Sequence, residues 1–443
     1  MGKIFGWAAV CAVTVFTTLI TVNDPAISMS IIVLLGFMVW AILHPYTAAC
    51  TLAFLTAAFP KAGIKVADFP FPIFLFGLLF ALVLITVKKR AVNHSAMATL
   101  ATAMFIFWVI IRAIIFSDNG PGPVAAFLAW TAIPLVMLYM ATRVQDDVLK
   151  FRRSIEAGFL IAVGYGLLQF AFGIEAVAIP GLTHALGDDI LHKNNVIYSE
   201  LVDYSKIPAT YQNGNIFGLV AAVFLALAMQ RIVRRSASRM DTALLIAGAT
   251  AVALSGSRTA IVASVVALAV LLLTTGRLAQ KVGVLAVLGV AGVAVMAAQP
   301  QLLDRYSVGD LAATGGAGRS EIWGSFLSYM TPTEFWFGTE RYWLTEGWLG
   351  VVMQIGIVGT FVLCLSILLL LKRRRGFGIA VLVLLVGAII DASYQLFPTW
   401  FLIAALAAAD PLQNVKSQPD HEVGPGLHKA ALSDEMATGP TPH

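Results

Sequence analysis

Runs of roughly twenty apolar residues recur along this chain, from its first residues to about position 410, with only short polar segments between them. A helix of that length, rising about 1.5 Å per residue, matches the ~30 Å hydrocarbon core of a bilayer. Composition agrees: the 443 residues are 59% hydrophobic and 12% charged, with mean hydropathy +0.85. Soluble domains carry about 25% charged residues. These figures exclude a soluble enzyme and predict an all-α polytopic membrane protein. The three cysteines, Cys11, Cys50 and Cys364, sit inside apolar runs and suggest neither a disulfide framework nor a metal site. The first stretch, MGKIFGWAAVCAVTVFTTLITV, is read as a first span, because another hydrophobic segment follows almost at once. A pI near 9.1 does not point to nucleic acid, since the basic residues fall in short clusters between spans.

Those clusters predict the topology. VKKR (87–90), RVQDDVLKFRR (143–153), RIVRRSASR (231–239), GRLAQK (276–281) and LKRRRG (371–376) belong on the cytoplasmic side. An even number of spans must then separate each cluster from the next. The division that satisfies this has about fourteen spans, or about twelve if 29–60 is a re-entrant pair. They are 4–22, 29–43, 45–60, 70–87, 96–116, 122–142, 154–174, 213–230, 240–256, 259–275, 282–299, 347–371, 377–394 and 397–410. Residues 1–410 form one membrane domain with both termini cytoplasmic. The tail 411–443, rich in Pro, Gly and charge, is expected to be disordered. Two outer segments have real length, 175–212 and 300–346. The Lys and Arg residues that defy the cytoplasmic bias are Lys61, Lys65, Arg112, Lys193, Lys206, Arg258, Arg305, Arg319 and Arg341.

Arg258, in ALSGSRTAIVA, stands at the outer mouth of a tight hairpin between two spans. Lys206 lies just ahead of a span, Arg319 lies in the second outer loop, and Arg112 lies near the outer end of the fifth span. A charge at mid-bilayer costs about 2.5–3.5 kcal/mol on insertion scales, so such residues ask for a reason. Cations gathered at one leaflet suit a lipid-linked diphosphate, which guanidinium groups grip bidentately. The competing structural reading is an arginine snorkelling to headgroups, or paired with an acid such as Asp391. The segment TGGAGRSEIWGSFLSYM (314–330) places Ile322, Trp323, Phe326, Leu327 and Met330 on one helical face. That pattern suits an amphipathic helix lying on the membrane. Arg319 stands at its N-terminus, where a cation is unfavourable to the bare helix and a bound anion would relieve the conflict.

Four motifs follow in order: KIPATYQNGNIFG (206–218), LSGSRTAIVA (254–263), GRSEIW (318–323) and TEGWLGVVMQIGIVG (345–359). Over about residues 200–375 this succession resembles the O-antigen ligase and O-antigen polymerase superfamily. The resemblance implies a metal-independent, inverting glycosyltransferase with no cofactor. It would work on the periplasmic face of the bacterial inner membrane, in surface or exopolysaccharide synthesis. The donor would be an undecaprenyl-diphosphate-linked glycan and the acceptor a glycan hydroxyl, with a chain-length regulator and export proteins as partners. By position, Arg258 and Arg319 resemble the family's diphosphate-binding arginines, which would also stabilise the leaving group. Lys206 falls where many relatives have arginine, and Arg112 joins the same diphosphate-binding set.

The chain departs from that pattern at the span-opening motif. Ligases of the family commonly have a histidine there, where this chain has Thr345-Glu346-Gly347-Trp348, and none of its seven histidines falls at that place. His184 and His192, on the first outer loop, are not expected to substitute. Glu346 becomes the candidate catalytic base, with helix capping as its structural alternative. The missing histidine favours a polysaccharide polymerase over a ligase acting on lipid A-core. From another class, a lipid-linked oligosaccharide flippase also has many spans. Transporters usually show paired interrupted helices in two repeated halves, and here the polar length sits in two late outer loops instead.

The topology makes a direct prediction. A cysteine introduced at Gly315 or Ser320 should react with an impermeant thiol reagent in intact spheroplasts. One introduced at Ser236 should react only after the membrane is opened. The opposite labelling pattern would invert the whole assignment.

Overall fold

The computed structural model describes residues 25–66, 69–88, 95–115, 121–143, 148–186, 196–198, 203–211, 213–234, 238–274, 278–298, 328, 330–339, 347–371, 378–390, 402–403 and 406. Of these, 84% are helical. The principal helices are α1 (Pro25–Leu43), α2 (Pro45–Ala58), α3 (Ile73–Lys88), α4 (Ala96–Ile115), α5 (Pro121–Ala141) and α6 (Val148–Phe172). They continue as α7 (Gly214–Val233), α8 (Arg239–Leu254), α9 (Arg258–Thr274), α10 (Leu278–Ala298), α11 (Pro332–Phe337), α12 (Gly347–Leu371) and α13 (Gly378–Ile390). Four segments, 96–115, 149–172, 214–233 and 349–371, are long and apolar enough to cross a membrane. Phe107, Ile114, Phe361 and Leu368 point outward from such helices and are about two-thirds exposed. Apolar surface of that extent is compatible with a lipid covering.

The stretch 29–60 divides where the sequence places the division, between 43 and 45: Pro45 opens α2, and its ring cannot continue the turn that ends α1 at Leu43. Two small antiparallel hairpins depart from a purely helical expectation. One pairs β1 (Gly63–Val66) with β2 (Phe69–Pro72), Gly63 opposite Pro72. The other pairs β3 (Val196–Tyr198) with β4 (Asp203–Ser205). In the first, Pro70 and Pro72 rule out helix and lack the N–H a central strand would need, so a short two-stranded ribbon is what remains.

The centre of the bundle is α7. Every residue of it is buried except Asn215 and Ile232, which are partly so. Helices α8, α9 and α13 pack around it. Small residues make this approach possible, since helix packing within lipid relies on close van der Waals contact rather than on hydrophobic burial. A Cβ added to Gly248 of α8 would lie 3.0 Å from Leu225 Cβ, and one added to Gly387 of α13 would lie 2.6 Å from Leu219 Cδ1. On another side, Phe159 of α6 stacks on Phe224 with ring centroids 4.1 Å apart.

At its C-terminal end α7 meets a buried ionic cluster. Arg231 Nη2 lies 2.9 Å from Glu156 Oε1, and its Nε lies 2.5 Å from Asp241 Oδ1. Arg152 Nε reaches Glu156 Oε1 at 3.3 Å. Asp241 also takes part in a capping box: its Oδ2 accepts from the Ser238 N–H at 2.7 Å, and Ser238 caps α8 in return. One guanidinium thus ties α6, α7 and α8 together, with all its partners nearly inaccessible to solvent. Removing one partner from a buried pair leaves an uncompensated charge, at a cost of about 3–5 kcal/mol. Arg231→Met should therefore lower the thermal stability of the purified protein by an amount of that order, read from its melting curve. Wild-type melting would mean that the cluster is solvated and holds nothing together.

Candidate functional site

The Lys206–Asn213 segment and the hairpin at Ser255–Arg258 form one junction. Ile207 N donates to Leu254 O at 3.3 Å, tying the segment to the end of α8. Asn213 caps α7, its side chain accepting from Ile216 N at 2.9 Å. Lys206 Nζ donates to Asn215 Oδ1 at 3.0 Å, which positions the ammonium beside the start of α7. Two glycines allow the hairpin to seat there. A Cβ on Gly214 would lie 2.5 Å from Ser255 O and 2.7 Å from Lys206 Cβ. A Cβ on Gly218 would lie 2.4 Å from Ser255 Oγ and 2.9 Å from Ser257 Cβ.

The hairpin turn is built by serine chemistry around a left-handed glycine. Ser255 Oγ donates back to Val252 O at 2.7 Å and accepts from Ser257 N at 3.2 Å. Gly256 has φ +60°, a conformation costly to a side chain. Ser257 then caps α9, its Oγ accepting from Ala260 N at 3.3 Å. Arg258 is consequently the first residue of α9, half-buried at the start of the helix. A cation at that position opposes the helix dipole, and an anion bound there would be favoured by both.

Between Lys206 and α7 the backbone is irregular yet deeply buried. Ile207, Ala209, Thr210 and Tyr211 are almost inaccessible to solvent. Ala209 has φ +51°, and its carbonyl accepts from Gln169 Nε2 at 3.0 Å. Tyr211 donates its hydroxyl to Ala57 O at 3.1 Å, and burial pushes its phenol well above the usual range. The phenol is therefore a neutral donor that anchors the segment to α2.

Arg112 belongs to another junction. It is buried on α4, which packs against α12, one helical turn beyond Trp108. Trp108 Nε1 donates to Ile355 O at 2.9 Å, and Thr339 N donates to Met353 O at 2.7 Å. Both bonds satisfy carbonyls at a break in α12, where Gly356 has φ +70°. A Cβ on Gly356 would lie 2.3 Å from Trp336 O, so the break is what admits α11 against α12. Gly338 (φ +90°) completes the contact. The sequence alone pointed to neither Trp108 nor Gly338, and for Gly356 the glycines of GVVMQIGIVG were the only signal.

The structure thus brings Lys206 and Arg258 to one junction and places Arg112 at a second. Arg319 and Glu346 lie outside the described residues, as do His192, Asp391 and all of the amphipathic helix expected over 314–330 except Ser328 and Met330. His184 is described and buried, on a loop that folds back toward Pro208 and Ala209. Among the described residues no cluster of His, Cys, Asp or Glu has the makings of a metal site. Comparison of the chain with protein-family models, with curated proteins and with solved structures found no match.

The packing at the junction sets up a contrast between two glycines. Gly218→Ala should destabilise the purified protein by about 1–3 kcal/mol, because the hairpin backbone must move to admit the methyl group. Gly289→Ala, facing open space on α10, should be neutral or stabilising by about 0.5–1 kcal/mol. Melting temperatures of the two variants check this; equal shifts would mean that the hairpin is not seated on α7.

Proposed function

We propose that the chain is a membrane glycosyltransferase of the O-antigen ligase and polymerase type. It polymerises undecaprenyl-diphosphate-linked repeat units at the periplasmic face of the bacterial inner membrane, through a domain of about 12–14 spans. The observation that carries the reading is the seating of the Ser-Gly-Ser-Arg hairpin on the Lys206–Asn213 cap, which sets Arg258 and Lys206 at one junction. Two cations beside the N-termini of α7 and α9 form a site suited to a diphosphate.

In this reading the acceptor hydroxyl attacks the anomeric carbon from the face opposite the leaving group. The new C–O bond forms as the bond to the diphosphate oxygen breaks, and undecaprenyl diphosphate departs with the electron pair. Configuration inverts. Arg258 and Arg319 neutralise the charge that develops on the diphosphate, with Lys206 as a point charge and Arg112 as a further cation. Glu346 takes the proton of the acceptor hydroxyl. The growing glycan is both product and next substrate, which is what separates a polymerase from a ligase.

Purified protein given only lipid-linked repeat units should produce a ladder, without divalent metal or nucleotide sugar. Arg258→Ala should abolish the ladder while membrane levels stay near normal. Arg258→Lys should rescue poorly, because an ammonium lacks the bidentate fork. Glu346→Gln should lose about 10²–10⁴-fold in rate while still binding the donor. Full activity of Arg258→Lys would defeat the bidentate argument, and wild-type rate in Glu346→Gln would remove the base. Transfer seen only after adding lipid A-core would make the protein a ligase.

A further inference from the structure

Close to the Lys206–Asn213 cap lies a small polar notch that the diphosphate reading does not use. The loop after α6 folds over it: Gly63 N donates to Gly181 O and Leu186 N donates to Gly63 O, both at 2.9 Å, docking that loop on β1. Lys61, Tyr165, Gln169, His184 and Ala209 line the notch, which has a volume of about 20 Å³. That space holds one water or one hydroxyl-sized group and no more.

Gln169 gives the notch its chemistry. The residue is 4% exposed, and its Nε2 is committed to Ala209 O at 3.0 Å. That bond fixes the amide orientation, because turning the amide over would set two oxygens against each other. Oε1 is left without a hydrogen-bond partner among the described residues. A buried acceptor in that state calls for a donor from outside the chain. On the other walls, Lys61 brings an ammonium and His184 a ring that donates or accepts. The group that suits such a set both donates and accepts, as a hydroxyl does. Ala209, whose carbonyl orients Gln169, holds a strained left-handed conformation, and strain of this kind collects at ligand sites. The segment carrying it begins at Lys206, so the notch and the cation junction are fixed by the same few residues.

We propose that this notch is a sugar subsite, taking one hydroxyl or hydroxymethyl arm of a glycan while the ring rests over its mouth. Gln169 Oε1 accepts from that hydroxyl, which displaces a water of similar hydrogen-bonding capacity. The subsite deepens the glycosyltransferase reading and rests on it for the identity of the ligand as a glycan. It orients sugar rather than diphosphate.

The experiment uses full-length protein in detergent with Cys11, Cys50 and Cys364 replaced by alanine and one new cysteine, Ala178→Cys, in the wall of the notch. Maleimide alkylation is timed with and without methyl glycosides of neutral hexoses, N-acetylhexosamines and hexuronic acids, against osmolality-matched trimethylamine N-oxide, which carries no hydroxyl. At about 100 mM sugar, a site with a Kd of about 10 mM should slow alkylation roughly tenfold. Adding Gln169→Leu should remove that protection while leaving the rate without sugar unchanged. Should that variant fail to fold, Lys61→Gln at the half-buried rim must weaken protection instead. Protection by none of the glycosides would show that the notch holds water only, and protection that survives both substitutions would equally overturn the proposal. The ladder assay separates the two readings. A wild-type ladder without glycoside protection sinks the subsite alone, whereas protection without a ladder or any transfer sinks the transferase reading and leaves a sugar-binding notch.

Discussion

Burial of α7 on all sides is the constraint on which the rest depends. A helix in lipid normally shows one face to acyl chains, yet Gly214–Val233 is enclosed by α6, α8, α9 and α13. Its sequence is apolar all round, so pattern alone does not orient it. Shape does that instead: Gly218, Gly248 and Gly387 admit neighbouring atoms at contact distances that any added Cβ would violate. Because lipid is as apolar as leucine, such steric fit rather than hydrophobicity decides which helices touch.

The same helix couples two ends of different character. At its C-terminus, Arg231 joins Glu156 and Asp241, clamping α6 and α8 with charges that only partners can make tolerable. At its N-terminus, Asn213, Gly214 and Gly218 receive an irregular segment and a hairpin that carry Lys206 and Arg258. One end is held by ion pairs, and the other sets two cations beside the starts of α7 and α9.

Much of the fold was legible because hydropathy and proline placement report directly on spans and breaks. Helices occupy the apolar runs, and Pro45 divides the stretch that composition left ambiguous. The association of KIPATYQN with LSGSR was legible only as motif order. Its physical basis, close approach at Gly214 and Gly218, depends on three-dimensional neighbours that no local window contains. Gln169 was invisible for the same reason: a glutamine on a long apolar helix signals nothing until Ala209 O is found beside it. The break at Gly356 was equally hidden, since glycine is common in membrane helices and only its φ and the carbonyl partners Trp108 and Thr339 distinguish a break from a packing site.

Irregular backbone is not spread evenly through the bundle, and its placement has a physical meaning. The Lys206–Tyr211 segment and the Ser255–Ser257 turn lie at the α7 N-terminal end. Gly387, near the C-terminus of α13, packs on Leu219 one turn into α7. The break at Gly356, nine residues into α12, lies against Trp336 and Gly338. Unpaired backbone at membrane depth is tolerated only where it is enclosed by protein or lines a cavity. Here Gln169 of α6 takes the Ala209 carbonyl, the hairpin turn is held by its own two serines, and Trp108 of α4 takes the Ile355 carbonyl at the α12 break. Among the described residues, irregular backbone inside the bundle thus occurs where a nearby side chain can take the groups it frees, as burial requires.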